Sequence, residues 1–351
     1  MENMVSLDGS VLEGGGQILR VALAISCLKK LSVHIFNIRQ KRSNPGLRDQ
    51  HLRCIELVRD LSNGTVVGAF IGSTEIFFRP GDIVGGSFQA VIKTAGSIGL
   101  LLQVALPCAL FAETDVTLHL FGGTNTKMAP QVDYLTEIFR PIMEKFGATY
   151  DFELIRRGYF PKGGGAVVVH VKPIKQLNGV QLINPGKVTS ITGWSFVSGT
   201  LPAFLANKIA DGAEKYLSRI CSNVNIERYK EDRNVAPDNS SGIILAAYTD
   251  TDCILGSDAL GSRKEDAEQT GQRAAEALLE TLDQECCVDE HSQNQMLIFM
   301  ALASGPSRVR VGKTTLHTTT AIHVIETLTA VKFSIENLSD TANIIHCTGS
   351  K

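Results

Sequence analysis

Helix-like and strand-like patterns alternate along this chain, and that alternation limits the available folds more than any other feature. GGGQILRVALAISCLKK is apolar on nearly every side, which predicts a buried helix. LSVHIFNIR follows with β-branched alternation and reads as a strand. In SNPGLRDQHLRCIELVRDLS, Pro45 and Gly46 break the chain, and Leu52, Ile55, Val58 and Leu61 recur at helical spacing. TEIFFRPG (strand), SIGLLLQVALPCALFA (helix), DVTLHLFGG (strand), VDYLTEIFRPIMEKFG (helix) and ATYDFELIRRG (strand) continue the series. The expected fold class is α/β (α+β). Units of β-α-β, closed by paired strands, recur with helices packed on sheets.

The character changes after NPGKV, near residue 185. A strand (TSITGWSFVSG), a helix (FLANKIADGAEKYLSRI), two strands (NVNIERYK and GIILAAYT) and a polar helix follow. YKEDRNVAPDNSSG reads as a loop. MLIFMALA, RVRVG, TAIHVIETLTAV and KFSIE then return to the first pattern. We therefore expect a large discontinuous domain, residues 1–184 and 280–351, carrying a small inserted α/β domain at 185–279.

Composition narrows the function. The chain has 351 residues, 44% hydrophobic and 20% charged, with net charge -2. A global basic field for nucleic acid is absent, so any RNA contact must be local. Aromatics make up 6%, which argues against a base-stacking platform. The 8 cysteines show no zinc spacing, and reduced thiols are the simpler reading. MENMVSLDGS lacks the basic and apolar regions of a secretory signal. The longest apolar stretch is broken by Gln103 and Pro107, so no membrane partner is expected.

Five local patterns invite chemistry. Gly312-Lys313-Thr314 spells the tail of a phosphate-binding loop, but the glycine needed five positions earlier is Ser307. We set it aside and read Lys313 as a turn or rim residue. EGGG at 13–16 opens a helix; glycines admit close backbone approach, and a helix N-terminus favours anions. Glu13 can instead cap that helix, and a tight turn is the plain alternative. KGGG at 162–165 reads as a turn. NIRQKRSNPGLRDQHLR gathers Arg39, Lys41, Arg42, Arg48 and Arg53 with His51 around a Pro-Gly turn. Such arginines can converge on phosphate, or can be a solvated loop. Gln50 and His51 fall in the next helix's first turn. Gln103 is an amide in an apolar helix, by itself a satisfied core residue as readily as a ligand. His317 stands among Thr314, Thr315, Thr318 and Thr319. A neutral imidazole there can attack the α-phosphate of a nucleotide, or be ordinary polar decoration. His323, within the apolar pattern, reads as structural.

Together LDGSVLEGGGQILRVALAISC, NIRQKRSNPGLRDQHL, TAGSIGLLLQVALP, RRGYFPKGGG and MALASG…LHTTTAIH resemble the RNA 3'-terminal phosphate cyclases over nearly the whole chain. The resemblance implies a large domain of repeated βαβαββ-like units with a small α/β insert. It implies an ATP-dependent enzyme that converts an RNA 3'-phosphate end to a 2',3'-cyclic phosphate, releasing AMP and pyrophosphate. By motif match His317 is the histidine that carries AMP. Arg20, Arg39 and Arg42 match phosphate-handling residues, and Glu13, Gln50 and His51 match as well. Gln103 becomes a nucleotide-site residue, and Pro130 in KMAPQVDY falls on a loop packed against the nucleotide. A divalent metal (Mg or Mn) is expected with ATP, with Glu13 as its protein contact.

Two departures stand out. HSQNQMLIF carries Asn294-Gln295 where Asp-Gln is usual beside the nucleotide, and His291 where Tyr is common. Asn keeps an acceptor oxygen and loses the charge. A non-catalytic cyclase-like protein of ribosome biogenesis is the main alternative; it is expected to lack the histidine and much of the arginine set. An enolpyruvyl transferase shares the general fold without needing the histidine. The expected setting is the nucleoplasm of a eukaryotic cell, or the cytoplasm otherwise.

Overall fold

The computed structural model describes residues 4–350, so Met1–Asn3 and Lys351, ends of the expected large domain, lie outside the described residues. The chain begins with β1 (Val5–Asp8), α1 (Gly16–Lys29), β2 (Val33–Phe36), α2 (Asp49–Leu61), β3 (Thr65–Val67) and β4 (Ile76–Arg79). These strands form one sheet in the order β1-β2-β4-β3. β1 and β2 run parallel, from Val5 opposite Val33 to Asp8 opposite Phe36. β4 is antiparallel to both β2 and β3.

The same arrangement returns. β5 (Gly86–Val91), α3 (Ile98–Ala109), β6 (Val116–Gly122), α4 (Val132–Tyr134), a π-helical turn (Leu135–Phe139), α5 (Arg140–Lys145), β7 (Asp151–Arg156) and β8 (Gly165–Val171) follow. Their sheet order is β5-β6-β8-β7, again parallel then antiparallel. After the short β9 (Leu177–Asn178), a third unit starts with β10 (Gln181–Leu182).

That unit is interrupted. β11 (Val188–Val197), α6 (Phe204–Leu217), β12 (Val224–Lys230), β13 (Ser241–Thr249), β14 (Ile254–Leu260) and α7 (Ala267–Leu282) intervene. They make a separate sheet, β12-β11-β13-β14, and bury a separate apolar cluster that includes Ile191, Ile209, Leu245 and Leu278. The third unit resumes with α8 (Glu290–Leu302), β15 (Ala303–Ser304), β16 (Ser307–Val311), α9 (Leu316–Leu328), β17 (Phe333–Asn337) and β18 (Asn343–Cys347). Its order is β10-β16-β18-β17. Three βαβαββ units therefore share one topology, and the inserted segment sits between the first strand and first helix of the third.

Local chemistry explains the elements. α1 is buried from Gln17 to Cys27, as a helix apolar all round must be. It ends where Lys30 turns left-handed, φ 52. α1 packs against α3 and α9, α2 against α3, and α8 against α9, so helices from all three units meet around one core. Gly163 and Gly164 take φ of 69 and 76, making 162–165 the turn its sequence predicts. All eight cysteines are free and buried. Among the described residues, no helix is long and apolar enough to cross a membrane.

Three local readings change. Beyond GIILAAYT a fourth inserted strand, β14, pairs antiparallel with β13; the Gly256-Ser257-Asp258 run masks its strand character. The helix of VDYLTEIFRPIMEKFG contains the π-helical turn. His323 is exposed on α9 rather than held in the core.

Candidate active site

The N-terminal turns of α1, α2, α8 and α9 supply most of the residues the sequence singled out; Gln103 comes from within α3, Pro130 from the loop before α4, and Arg39 and Arg42 from the loop before α2. α1 starts from a tight turn in which Leu12 and Gly14 have φ of 50 and 59. Glu13 turns its carboxylate back: Oε2 accepts from the Gly15 amide at 2.7 Å, and Oε1 pairs with Arg42. Glu13 thus closes the turn ahead of α1 rather than capping the helix, whose N-cap Gly15 has no side-chain cap hydrogen bond. A Cβ on Gly15 would strike that carboxylate. A Cβ on Gly16 would stand 2.7 Å from Arg20 Nη1 and 2.8 Å from His51 Nε2, so a side chain at either glycine would displace the charged and polar groups gathered there.

Arg20 is the electrostatic centre. It is buried, 7% exposed, and its partners are neutral amides: Nε donates to Gln103 Oε1 at 2.7 Å and Nη2 to Gln17 Oε1 at 3.1 Å. Among the described residues no carboxylate forms an ion pair with it. Burial pushes its pKa down from the ordinary value, with Cys54 and Glu13 opposing. A buried cation held only by amides is poised for an anion.

His51 sits on α2, and its Nδ1 accepts from the Arg48 amide at 3.1 Å. Burial, then Arg20, Arg39 and Arg48, lower its pKa to about 3. The ring is neutral, its Nδ1 is occupied, and its proton is therefore on Nε2, the atom beside Gly16 and Arg20. It is a hydrogen-bond donor there, not a base. Gln50 is spent differently: its Oε1 accepts from the Ser97 amide at 2.9 Å and ties α2 to the start of α3.

The arginine loop is more structured than a solvated run. Arg39, itself at φ 54, donates through Nη1 to the carbonyls of Asn44 (2.7 Å) and Gly46 (2.8 Å). Burial, then Arg42 and Arg48, lower its pKa. Arg53, grouped with this cluster by sequence, pairs instead with Asp49 (3.2 Å) and Glu56 (2.6 Å) along α2. A charge run does not reveal which members are neutralised one helical turn away.

His317 is the second residue of α9 and is exposed. The N-cap is Thr315, whose hydroxyl accepts from the Thr318 amide at 3.1 Å. On α8, Asn294 Oδ1 accepts from the Thr315 (3.1 Å) and Thr318 (2.7 Å) hydroxyls, while Gln293 Nε2 donates to Thr318 Oγ1 at 2.8 Å. Thr320 Oγ1 accepts from the Glu13 amide at 3.1 Å, joining α9 to the glycine turn. The imidazole thus stands on a helix start clamped from two sides.

One cleft of about 190 Å³ is lined by Arg20, Gln103, Pro130, His291, Asn294, Gln295 and His317, all singled out by sequence. His291 lies edge-on to Tyr134, ring centroids 5.6 Å apart. Glu13, Arg39, Arg42, Gln50 and His51 do not line this cleft; Glu13 and His51 stand behind it, against Gly15 and Gly16. Sequence reading missed Gln17, Met128 and Glu290 on its walls. The Gln in EGGGQ was the available signal for the first. Gly312–Thr314 forms the bend between β16 and α9, with the Lys313 amide on Gln284 Oε1 at 2.9 Å and its side chain exposed.

Protein-held metal finds little support in this donor set. Among the described residues no group of three or more His, Cys, Asp or Glu is arranged to hold an ion. The Glu13 carboxylate is occupied by Gly15 and Arg42.

Fold and cleft together define a repeated-unit α/β protein whose cleft holds an accessible histidine and a buried arginine. Residues 11–335 match the family model described as "RTC: RNA 3'-terminal phosphate cyclase". The chain belongs to that family. The RNA 3'-terminal phosphate cyclase of Drosophila melanogaster is 37% identical over 350 residues, covering 99% of this chain and 97% of the relative. Those of Pyrobaculum aerophilum and Ignicoccus hospitalis are 39% and 40% identical, covering 94% of both chains and 92% of both chains. EPSP synthase from Acinetobacter baumannii overlays with a TM-score of only 0.29 at 11% identity, covering 100% of this chain and 67% of that one, too weak a likeness to bear on fold or function.

Proposed function

We propose that this protein is an ATP-dependent RNA 3'-terminal phosphate cyclase that works through a histidine-AMP intermediate on His317. Family membership supports the reaction class. The observation that carries the residue assignment is Arg20: a buried guanidinium without a carboxylate, in the same cleft as an accessible imidazole.

The chemistry follows from the groups present. A neutral His317 nitrogen forms a bond to the α-phosphorus of ATP, and pyrophosphate leaves. An oxygen of the RNA 3'-phosphate then displaces the imidazole, which regains its lone pair. The adjacent 2'-hydroxyl attacks the 3'-phosphorus, loses its proton, and expels AMP. In each step charge grows on phosphate oxygens. Arg20 is a fixed donor for that charge in the cleft, and the His51 Nε2–H stands behind it, beside Arg20. Gln103 and Gln17 hold Arg20; Gln295, His291 and Pro130 wall the nucleotide. Arg39 and Arg42 border the turn that the RNA phosphate approaches. A divalent ion would arrive with the triphosphate and offset its charge, while the Glu13 carboxylate is engaged by Gly15 and Arg42. Residues 185–279 form, on this reading, a small domain inserted into the large one.

The test uses RNA ending in a 3'-phosphate, with 3'-hydroxyl RNA as control, in the presence of ATP and magnesium or manganese. The prediction is a 2',3'-cyclic end on the first and no change in the second. No cyclisation of the 3'-phosphate RNA with either metal would favour the non-catalytic, ribosome-assembly alternative.

A further inference from the structure

Gln17 is 3% exposed and lies in the first turn of α1. Its Oε1 accepts from Arg20 Nη2 at 3.1 Å. A guanidinium has donors only, so this contact fixes which end of the amide is oxygen. The other end, Nε2, is buried and has no partner in the protein. The residue lines the cleft that holds His317. A buried NH2 group left unpaired is a standing cost to the fold, and native structures rarely tolerate one without reason. An apolar side chain of similar length would remove that cost.

We propose that Gln17 is a binding residue whose Nε2 donates to a phosphate oxygen in the cleft. The adjacent Arg20, a donor-only cation that lines the same cleft, selects an anion over a neutral acceptor. The assignment rests on the cyclase reading above, under which two phosphates occupy the cleft in turn: the α-phosphate of ATP and the 3'-phosphate of RNA. Both offer the same acceptor chemistry.

Two variants separate the possibilities. Gln17→Glu keeps an acceptor for Arg20 and loses the donor. Gln17→Met loses both without adding charge. Histidine-AMP formation from ATP alone is followed in single turnover, and cyclisation of 3'-phosphate RNA is followed from protein already carrying AMP. Both variants are expected to slow one of these steps about ten- to a hundredfold. Slower adenylylation assigns the contact to the nucleotide, and slower cyclisation alone assigns it to the RNA. Without ligand, Gln17→Glu should melt no lower than wild type, since it gives Arg20 a carboxylate; the rise in melting temperature on adding AMP should be lost. Rates within twofold of wild type for Gln17→Met in both steps would overturn the proposal. If wild type forms no histidine-AMP, the catalytic reading fails separately. The AMP-induced rise then decides: its loss in Gln17→Met upholds the donor, and an equal rise in wild type and variant overturns it.

Discussion

At the residue scale the site is a set of hydrogen-bond commitments. Arg20 uses a fork of donors to reach two amides at once and still faces the cleft. Arg20→Lys keeps the charge and loses the fork, so we expect adenylylation from ATP to fall about a hundredfold, measured by single-turnover labelling. His51 gives a pH prediction. Its folded pKa is about 3 and its ordinary value 6.5. As acid is added, the unfolded state takes up the proton first. Its stabilising contribution is therefore complete above pH 6.5 and is lost as pH falls toward 3, at up to about 1.4 kcal/mol per unit. His51→Gln retains an acceptor for the Arg48 amide and does not titrate. Urea unfolding of that variant should show a shallower loss between pH 6 and about pH 4; an identical slope to wild type would remove His51 as the cause.

At the element scale the question is what fixes the start of α9. Thr315 caps it, and Asn294 grips Thr315 and Thr318 from α8. Thr315→Ala should cost about 1 kcal/mol in urea unfolding. Asn294→Ala should slow adenylylation about tenfold or more while the KM for ATP changes little, because it misplaces His317 rather than removing a nucleotide contact. Asn294→Asp retains the acceptor and should keep most of the rate. A rise in KM alone would show that Asn294 acts on the nucleotide. This reading also sharpens the departure seen in sequence: the acceptor oxygen that Asn shares with Asp is used by two threonines. Elements with strong periodicity, such as α2 and β6, were legible because apolar spacing alone dictates them. β14 was not, since its pairing with β13 and packing on α7 outweigh a Gly-Ser-Asp run. Nor was the unpaired Nε2 of Gln17, which follows from burial in the assembled fold and not from residue spacing.

At the scale of the molecule, three units of one topology put helix starts from different parts of the sequence around one cleft. The alternation made the repeat visible. The tail's return to the first pattern was visible as well; the interruption hid the third unit's first strand, because β10 is only two residues long and about a hundred residues separate it from α8. The inserted segment is tied to the rest by buried polar links. Arg157 Nη2 reaches Asp133 at 2.8 Å and its Nε reaches Glu231 at 2.8 Å; Asp289 accepts from the Gly256 amide at 2.8 Å and from Tyr134. Arg157→Met leaves two carboxylates facing without their cation. We expect a loss of about 3–5 kcal/mol in urea unfolding followed by circular dichroism. A change under about 1 kcal/mol would mean that this ion-pair network does not hold the insert in place.

The most direct test of the central claim is covalent labelling with α-labelled ATP and a divalent metal. Wild type should acquire acid-labile, alkali-stable label, and His317→Ala should acquire none. Absence of label on wild type, or equal labelling of the alanine variant, would contradict the assignment of His317 as the residue that carries AMP.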